Sequence, residues 1–345
     1  MKTKNDKLRH IFNVSSKDKL SEEDKTMLFD RIVRTARHRR WQKSLMYIGV
    51  ATAACLVLLF RLFFDANPVG RDSLNIGEVA AMSQSLTKNR DRLQIITVNP
   101  AADRHSVEFV STFGSTVAFV LPETDSSQEN QNYKTVFVPY GKRQEFTLPD
   151  RSRVWLNAGS YLTYHVDMQG RPREVYLNGE GYFDVAHNGT SFLVRTKHST
   201  VRVLGTTFNV SSYEEDKKMS VELITGKVEL SSPNFKSIIM LPGQFVSYDQ
   251  QLNRLSIDKN ANGNEILWTK KQLVLDRLST GELIRKLERV YNVSIHADEA
   301  LQGSNTIYSG RVNLDVSVLV SLKSIYELQD YSITQIEKEV WIKKK

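Results

Sequence analysis

The chain has 345 residues with 40% hydrophobic and 25% charged content, which suits two or three globular domains and excludes a disordered or collagen-like chain. A single cysteine, Cys55, excludes a disulfide framework and any multi-cysteine metal centre. The net charge of +8 sits at one end: residues 1–44 hold 13 Lys/Arg against 6 Asp/Glu, leaving 34 against 33 over the rest. A nucleic-acid-binding body would carry its basic residues on the folded domains, so no direct contact with nucleic acid is expected.

In chain order, residues 1–20 are polar. Ser21 then opens SEEDKTMLFDRIVRTARHRR, which reads as a helix with Ser21 as N-cap and Asp24 at the capping-box position. Leu28, Phe29, Ile32 and Val33 recur at helical spacing, a stripe with nothing in its own helix to bury it. It is either a partner-binding face or a membrane-surface helix, and the basic end from Arg34 to Lys43 suits contact with anionic lipid.

Residues Leu45 to Phe64 form a 20-residue apolar run interrupted by Arg61 alone. As a helix it would extend about 30 Å, the thickness of a bilayer's hydrocarbon core. Eleven Leu, Ile, Val or Phe residues favour insertion by roughly 5 kcal/mol, against roughly 3 kcal/mol for Arg61, which lies near one end and can snorkel. With 44 residues before the run and no small-residue cleavage site after it, an uncleaved anchor fits better than a signal peptide. Six Lys/Arg stand just before it, and only Arg71 occupies the next fifteen positions. The positive-inside rule then predicts a single pass with residues 1–44 cytoplasmic and 65–345 across the membrane, Trp41 serving as an interfacial anchor.

Beyond Asp65 a polar stretch leads to three short strand-like runs, LQIITV (93–98), SVEFVST (106–112) and STVAFVL (115–121), and a linker at 122–133. Residues 134–258 read as all-β, a sandwich or roll, with alternating or β-branched runs broken by Asn, Gly, Asp and Pro turns. Residues 265–345 read as β-α-β-β-α-β-β, a small α+β unit of the split-βαβ kind. ILWTKKQLVL is its first strand and STGELIRKLERVY its first helix, with Leu283, Ile284, Leu287, Val290 and Tyr291 on one face.

Motifs for chemistry are missing. Gly226-Lys227 is followed by Val228, not Ser or Thr, and no glycine stands five residues before Gly226. The seven histidines show no metal-ligand spacing. Gly179 and Gly181 read as turn glycines between two strands, and Glu180 and Asp184 as turn and surface carboxylates rather than an acid–base pair. Neither enzymatic activity nor a cofactor or metal is expected.

Residues 136–250 resemble the FecR domain of bacterial transmembrane anti-sigma regulators. The resemblance rests on VPYGKRQEFTLPD (138–150), VWLNAGSYLTY (154–164), REVYLNGEGYFDV (173–185), VRVLGTTFNVSSY (201–213), VELITGKVEL (221–230) and LPGQ (241–244). The positions that match the motif, in structural roles, are Gly141, Pro149, Asp150, Trp155, Asn157, Gly179, Glu180, Phe183, Gly205, Phe208, Asn209, Gly226 and Gly243. Residues 266–343 resemble the C-terminal domain that accompanies FecR in Bacteroidota, itself similar to the secretin/TonB short N-terminal domain. Family members carry a glycine in LPDG-T where this chain has Leu148-Pro149-Asp150-Arg151-Ser152, so this turn is expected to use other φ/ψ angles.

The resemblance implies an inner-membrane signal transducer with its C-terminal domains in the periplasm. On the outer side its partner would be the signalling domain of a TonB-dependent outer-membrane transporter, paired through an exposed sheet edge. On the inner side it would control an extracytoplasmic-function sigma factor, contacted by Leu28, Phe29, Ile32 and Val33, with cleavage in or near Leu45–Phe64 carrying the signal across. The alternative is a membrane-anchored periplasmic binding or scaffolding module without a transcriptional role.

Overall fold

A computed structural model describes residues 75–87, 91–99, 104–109, 118–120, 133–168, 172–259, 263–326 and 331–345. The amphipathic stripe at Leu28, Phe29, Ile32 and Val33 and the apolar run with Trp41, Leu45 and Phe64 lie outside the described residues. Among the described residues no helix is long and apolar enough to cross a membrane.

The first element is a helix, α1 (Ile76–Ser85), where a polar irregular stretch was expected. Asn75 caps it by accepting from the Gly77 N–H, and Ile76 and Val79 bury one face against a sheet. Such a short polar helix carries a weak apolar stripe, which is why the sequence did not announce it.

Sixteen strands follow among the described residues before the C-terminal module, in two layers that share one strand. That strand is β8 (Arg173–Asp184). Residues 173–178 pair with β7 (Tyr161–His165) on one side and, in parallel, with β9 (Phe192–Arg195) on the other. Residues 179–184 pair with β6 (Arg153–Leu156) and β11 (Thr207–Ser212). The first layer runs outward from β7 through β4 (Tyr133–Phe137) and β1 (Gln94–Asn99) to β2 (Arg104–Phe109). On its other side it continues from β9 through β10 (Thr200–Val203) and β13 (Val228–Ser232) to β14 (Phe235–Met240). The second layer runs from β6 through β5 (Gln144–Thr147) to β3 (Ala118–Val120), and from β11 through β12 (Lys218–Thr225) and β15 (Phe245–Asp249) to β16 (Arg254–Asp258). The runs expected at 93–98 and 106–112 are thus β1 and β2, paired into the first layer through β4.

Apolar side chains of both layers meet in a single core. Phe183 stacks on Phe208 at 5.2 Å, Phe146 of β5 faces Tyr164 of β7 at 6.4 Å, and Phe235 of β14 meets Tyr248 of β15 at 5.1 Å. The last two pairs bridge the layers, the first joins neighbouring strands of the second layer, and each adds a fraction of a kcal/mol or more beyond simple burial.

Gly179 and Gly181 require a correction, because they lie inside β8 rather than in a turn. Gly179 has φ +129°, and a Cβ there would stand 2.4 Å from the Ser160 Oγ. Only glycine fits that approach, and it lies where β8 passes from one layer to the other.

The C-terminal module has its own core. Its expected first strand is shorter: Leu267–Lys270 is a 3-10 turn, Lys271 turns left-handed at φ +57°, and β17 (Gln272–Ser279) follows. The helix α2 (Thr280–Tyr291) is closed by a capping box between Ser279 and Glu282 and buries Leu283 and Leu287. Next come β18 (Ser294–Ala297), a single turn α3 (Glu299–Gln302), β19 (Ile307–Asn313), α4 (Val318–Tyr326), β20 (Tyr331–Ile336) and β21 (Glu339–Lys344). β17 pairs with β19, and β21 lies between β18 and β20.

Candidate functional site

The motif positions fall into three structural groups. In the first, Pro149 and Asp150 form the turn between β5 and β6. Asp150 accepts from Ser152 N (2.9 Å), Ser152 Oγ (2.8 Å) and Arg173 Nη1 (3.0 Å). Arg173 is 1% exposed and also donates to the carbonyls of Ala186 (2.8 Å), Leu204 (3.2 Å) and Thr190, so one buried guanidinium ties three loops together. Burial pulls its pKa down, and Asp150 opposes that pull. Arg151 takes φ +70°, so the turn keeps the left-handed conformation without a glycine, against expectation. The Leu148 N–H bonds to Ser152 O at 2.8 Å and the Arg151 N–H to Leu148 O at 2.9 Å, which fixes it there.

The second group is core and turn. Phe183 and Phe208 are fully buried, and Gly205, Gly226 and Gly243 lie in the turns after β10, β12 and β14.

The third group gathers where the C-terminal module meets the sandwich. Glu180 is 9% exposed and accepts from Asn157 Nδ2 (2.7 Å) and Asn209 Nδ2 (3.1 Å). It is therefore an interior group, not the surface carboxylate expected, whereas Asp184 is exposed as anticipated and accepts from Thr207 Oγ1 (3.2 Å). Asn157 Oδ1 accepts from the Ala158 N–H and Arg143 Nε, and Asn209 Oδ1 accepts from Trp268 Nε1 (3.2 Å). Each amide thus has a use for both ends, and the network fixes their orientation. Trp268 belongs to the segment 263–271, which straps across the second layer. Glu222 of β12 holds its start, accepting from Gly263 N (2.9 Å) and Glu265 N (3.0 Å).

Beside the strap, α2 docks through its polar face. Arg289 grips Asp216 with two bonds of 3.1 and 3.0 Å, and its guanidinium lies 3.5 Å from the centre of the Tyr213 ring. Burial alone would lower the Arg289 pKa, but Tyr213, Asp216 and Glu215 outweigh it and hold it raised. Tyr213 donates to the Ala158 carbonyl (2.9 Å), and the Gly141 N–H donates to the Arg289 carbonyl (2.9 Å). Trp155 stands at the rim of this junction, 5.1 Å from Tyr182, with Arg153 over its ring at 4.6 Å.

The Arg289 and Asp216 pair was not found from the sequence. On α2, Arg285 and Arg289 are four residues apart and look like a solvated charged face. The burial of Glu180 was not signalled either. Val175, Leu177, Gly179, Gly181 and Phe183 are buried in alternation with the half-buried Tyr176, Asn178 and Tyr182. That period puts Glu180 on the Tyr176 face, where the contacts through Asn209 to the strap, not the strand pattern, enclose it.

The arrangement binds and braces. Among the described residues no group of three or more His, Cys, Asp and Glu side chains converges as a metal site would.

Residues 134–229 match the FecR protein family. The sandwich carries a FecR domain. Two crystal structures of a candidate anti-sigma factor from Parabacteroides distasonis ATCC 8503 are similar to the chain beyond that domain, at 28% identity. One aligns with a TM-score of 0.57 over 62% of this chain and 99% of its own. The other aligns at 0.56 over 61% and 99%. A search of curated proteins found no match. In the FecR domain, the motif residues Asn157, Glu180 and Asn209 build the seat for the strap of the C-terminal module.

Proposed function

We propose that the chain is a regulatory, non-enzymatic anti-sigma protein. The observation that carries this reading is the FecR match, together with a likeness to the Parabacteroides distasonis anti-sigma candidate that extends well past the matched residues. The amino-terminal features support a membrane topology for it. An apolar run at Leu45–Phe64 with basic residues before it favours a single pass in the inner membrane, with the FecR domain and C-terminal module periplasmic. In this reading Leu28, Phe29, Ile32 and Val33 hold an extracytoplasmic-function sigma factor, and the periplasmic modules receive the signalling domain of a TonB-dependent transporter. The braced junction supports it too, because a receiver that must pass on a docking event needs its two modules fixed to each other.

The test is co-purification of the full-length chain in detergent with a sigma factor encoded beside it. Retention is expected for the native chain and loss for Phe29→Asp with Ile32→Asp. If a folded sigma factor is not retained by the native chain, the anti-sigma reading fails and the scaffolding alternative replaces it.

A further inference from the structure

A cleft of about 310 Å³ opens between the strap and the outer face of the second layer. Its walls include Trp155, Tyr182 and Trp268, and Arg143, Glu145 and Lys271 stand among the polar groups around them. Its size lies at the lower end for small-ligand sites, and it combines aromatic walls with a few convergent polar groups as such sites do.

The cations there differ in what they already hold. Lys271 is paired with Asp315 at 2.8 Å, and Glu145 with Arg153 at 2.6 Å. Arg143 is half-buried and makes no ion pair among the described residues. Its Nε donates to Asn157 Oδ1 at 3.3 Å, and among the described residues that is its one side-chain hydrogen bond. Burial depresses its pKa, with the more distant Glu180 only partly opposing this. A guanidinium taken partly out of water with no carboxylate bonded to it, Glu180 and Asp315 acting only from farther off, is costly, and its planar fork matches a carboxylate bidentately. Asn157 orients it from behind, and Asn157 is itself held by Glu180.

We propose that this cleft binds a small carboxylate carried on a six-membered ring, the carboxylate on Arg143 and the ring against Trp155, Tyr182 and Trp268. The ring is a sugar acid or an aromatic acid, which share that chemistry. The inference goes beyond the regulatory reading and stands or falls without sigma-factor binding.

Two of the cleft's walls are tryptophans, so intrinsic fluorescence of the full-length chain in detergent reads occupancy. Galacturonate and benzoate are titrated, each against its uncharged counterpart, galactose and benzyl alcohol. A saturable change is expected with at least one acid, at least about tenfold tighter than with its counterpart, the worth of a charge-assisted pair. Arg143→Gln is expected to lose that margin and Arg143→Lys to keep part of it, with Lys338→Gln, which does not line the cleft, as control. A preference for galacturonate assigns a sugar acid, and one for benzoate an aromatic acid. If neither acid outbinds its counterpart in the native chain, or if Arg143→Gln titrates unchanged, the proposal is overturned. Where Arg143→Gln melts early, the acid-against-neutral comparison in the native chain and Arg143→Lys decide it.

Discussion

Arg151 shows how far neighbours can hold a residue in a conformation it does not favour. A non-glycine residue in the left-handed region costs roughly 1 kcal/mol or more. At φ +70° the strain is outweighed by the Asp150 bonds to Ser152, by Arg173 behind Asp150, and by the closed backbone turn. Arg151→Gly is therefore expected to raise stability by about 0.5–1 kcal/mol, strain relief outweighing the added freedom of the unfolded chain, as a melting curve would read. A loss of stability would mean that Arg151 makes a favourable contact outweighing its backbone strain. The sequence made the position of the turn legible, through Pro149 and Asp150, but not its geometry, because the residue that braces it, Arg173, is 23 positions away from Asp150. Glu180 was misread for a like reason. Strand alternation puts it on the half-exposed face with Tyr176, Asn178 and Tyr182, and what encloses it, Asn209 and the strap bonded to Asn209 through Trp268, comes much later in the chain.

At the scale of elements, most of the strands were legible from alternation, α2 from helical spacing and α4, rich in valine, from the length and position of its run, each to within a few residues. What the chain order concealed was docking. The apolar stripe of α2 pointed to its own core at Leu283 and Leu287, while its charged side faces the FecR domain through Arg289 and Asp216. Likewise the run ILWTKKQLVL looks like one strand, yet its first half is a strap turned inward by the Trp268 bond to Asn209. The docking has a definite energetic centre. Arg289→Met leaves Asp216 with only the longer contact from Arg285 at 3.4 Å, and should cost about 3 kcal/mol, since removing one partner strands a partly buried charge. Arg285→Met, at a more exposed pair, should cost less than about 1 kcal/mol. Hydrogen exchange at 263–271 and in α2 checks both: faster exchange in the first variant only. Equal behaviour of the two would place the hold elsewhere, in the Trp268 bond.

For the molecule as a whole, the junction predicts a pH dependence. Glu265 sits in the strap with its pKa pushed up to about 7: burial raises it most, Lys286 draws it back, and Glu180, Glu222 and Asp276 add to the rise. The pKa of Glu222 is raised by burial as well, against the two backbone N–H donors of the strap. The native state then keeps a proton that the unfolded chain releases above about pH 4.5, so stability falls as pH rises toward 7 and the penalty is complete above it. Glu265→Gln should flatten that decline and add up to about 3 kcal/mol above pH 7, read from denaturant unfolding across pH 4 to 8. A native chain equally stable at pH 5 and 7.5 would show that Glu265 titrates normally. The strand shared by the two layers carries a further consequence, for the order in which the chain is made. A ribosome that has released β8 but not yet β9 or β11 leaves two sheets unfinished at once, because 173–178 and 179–184 each lack a neighbour until residues 192–212 arrive. The nascent chain thus passes through an interval with two adjacent sticky edges, and a chaperone would be needed most during that interval.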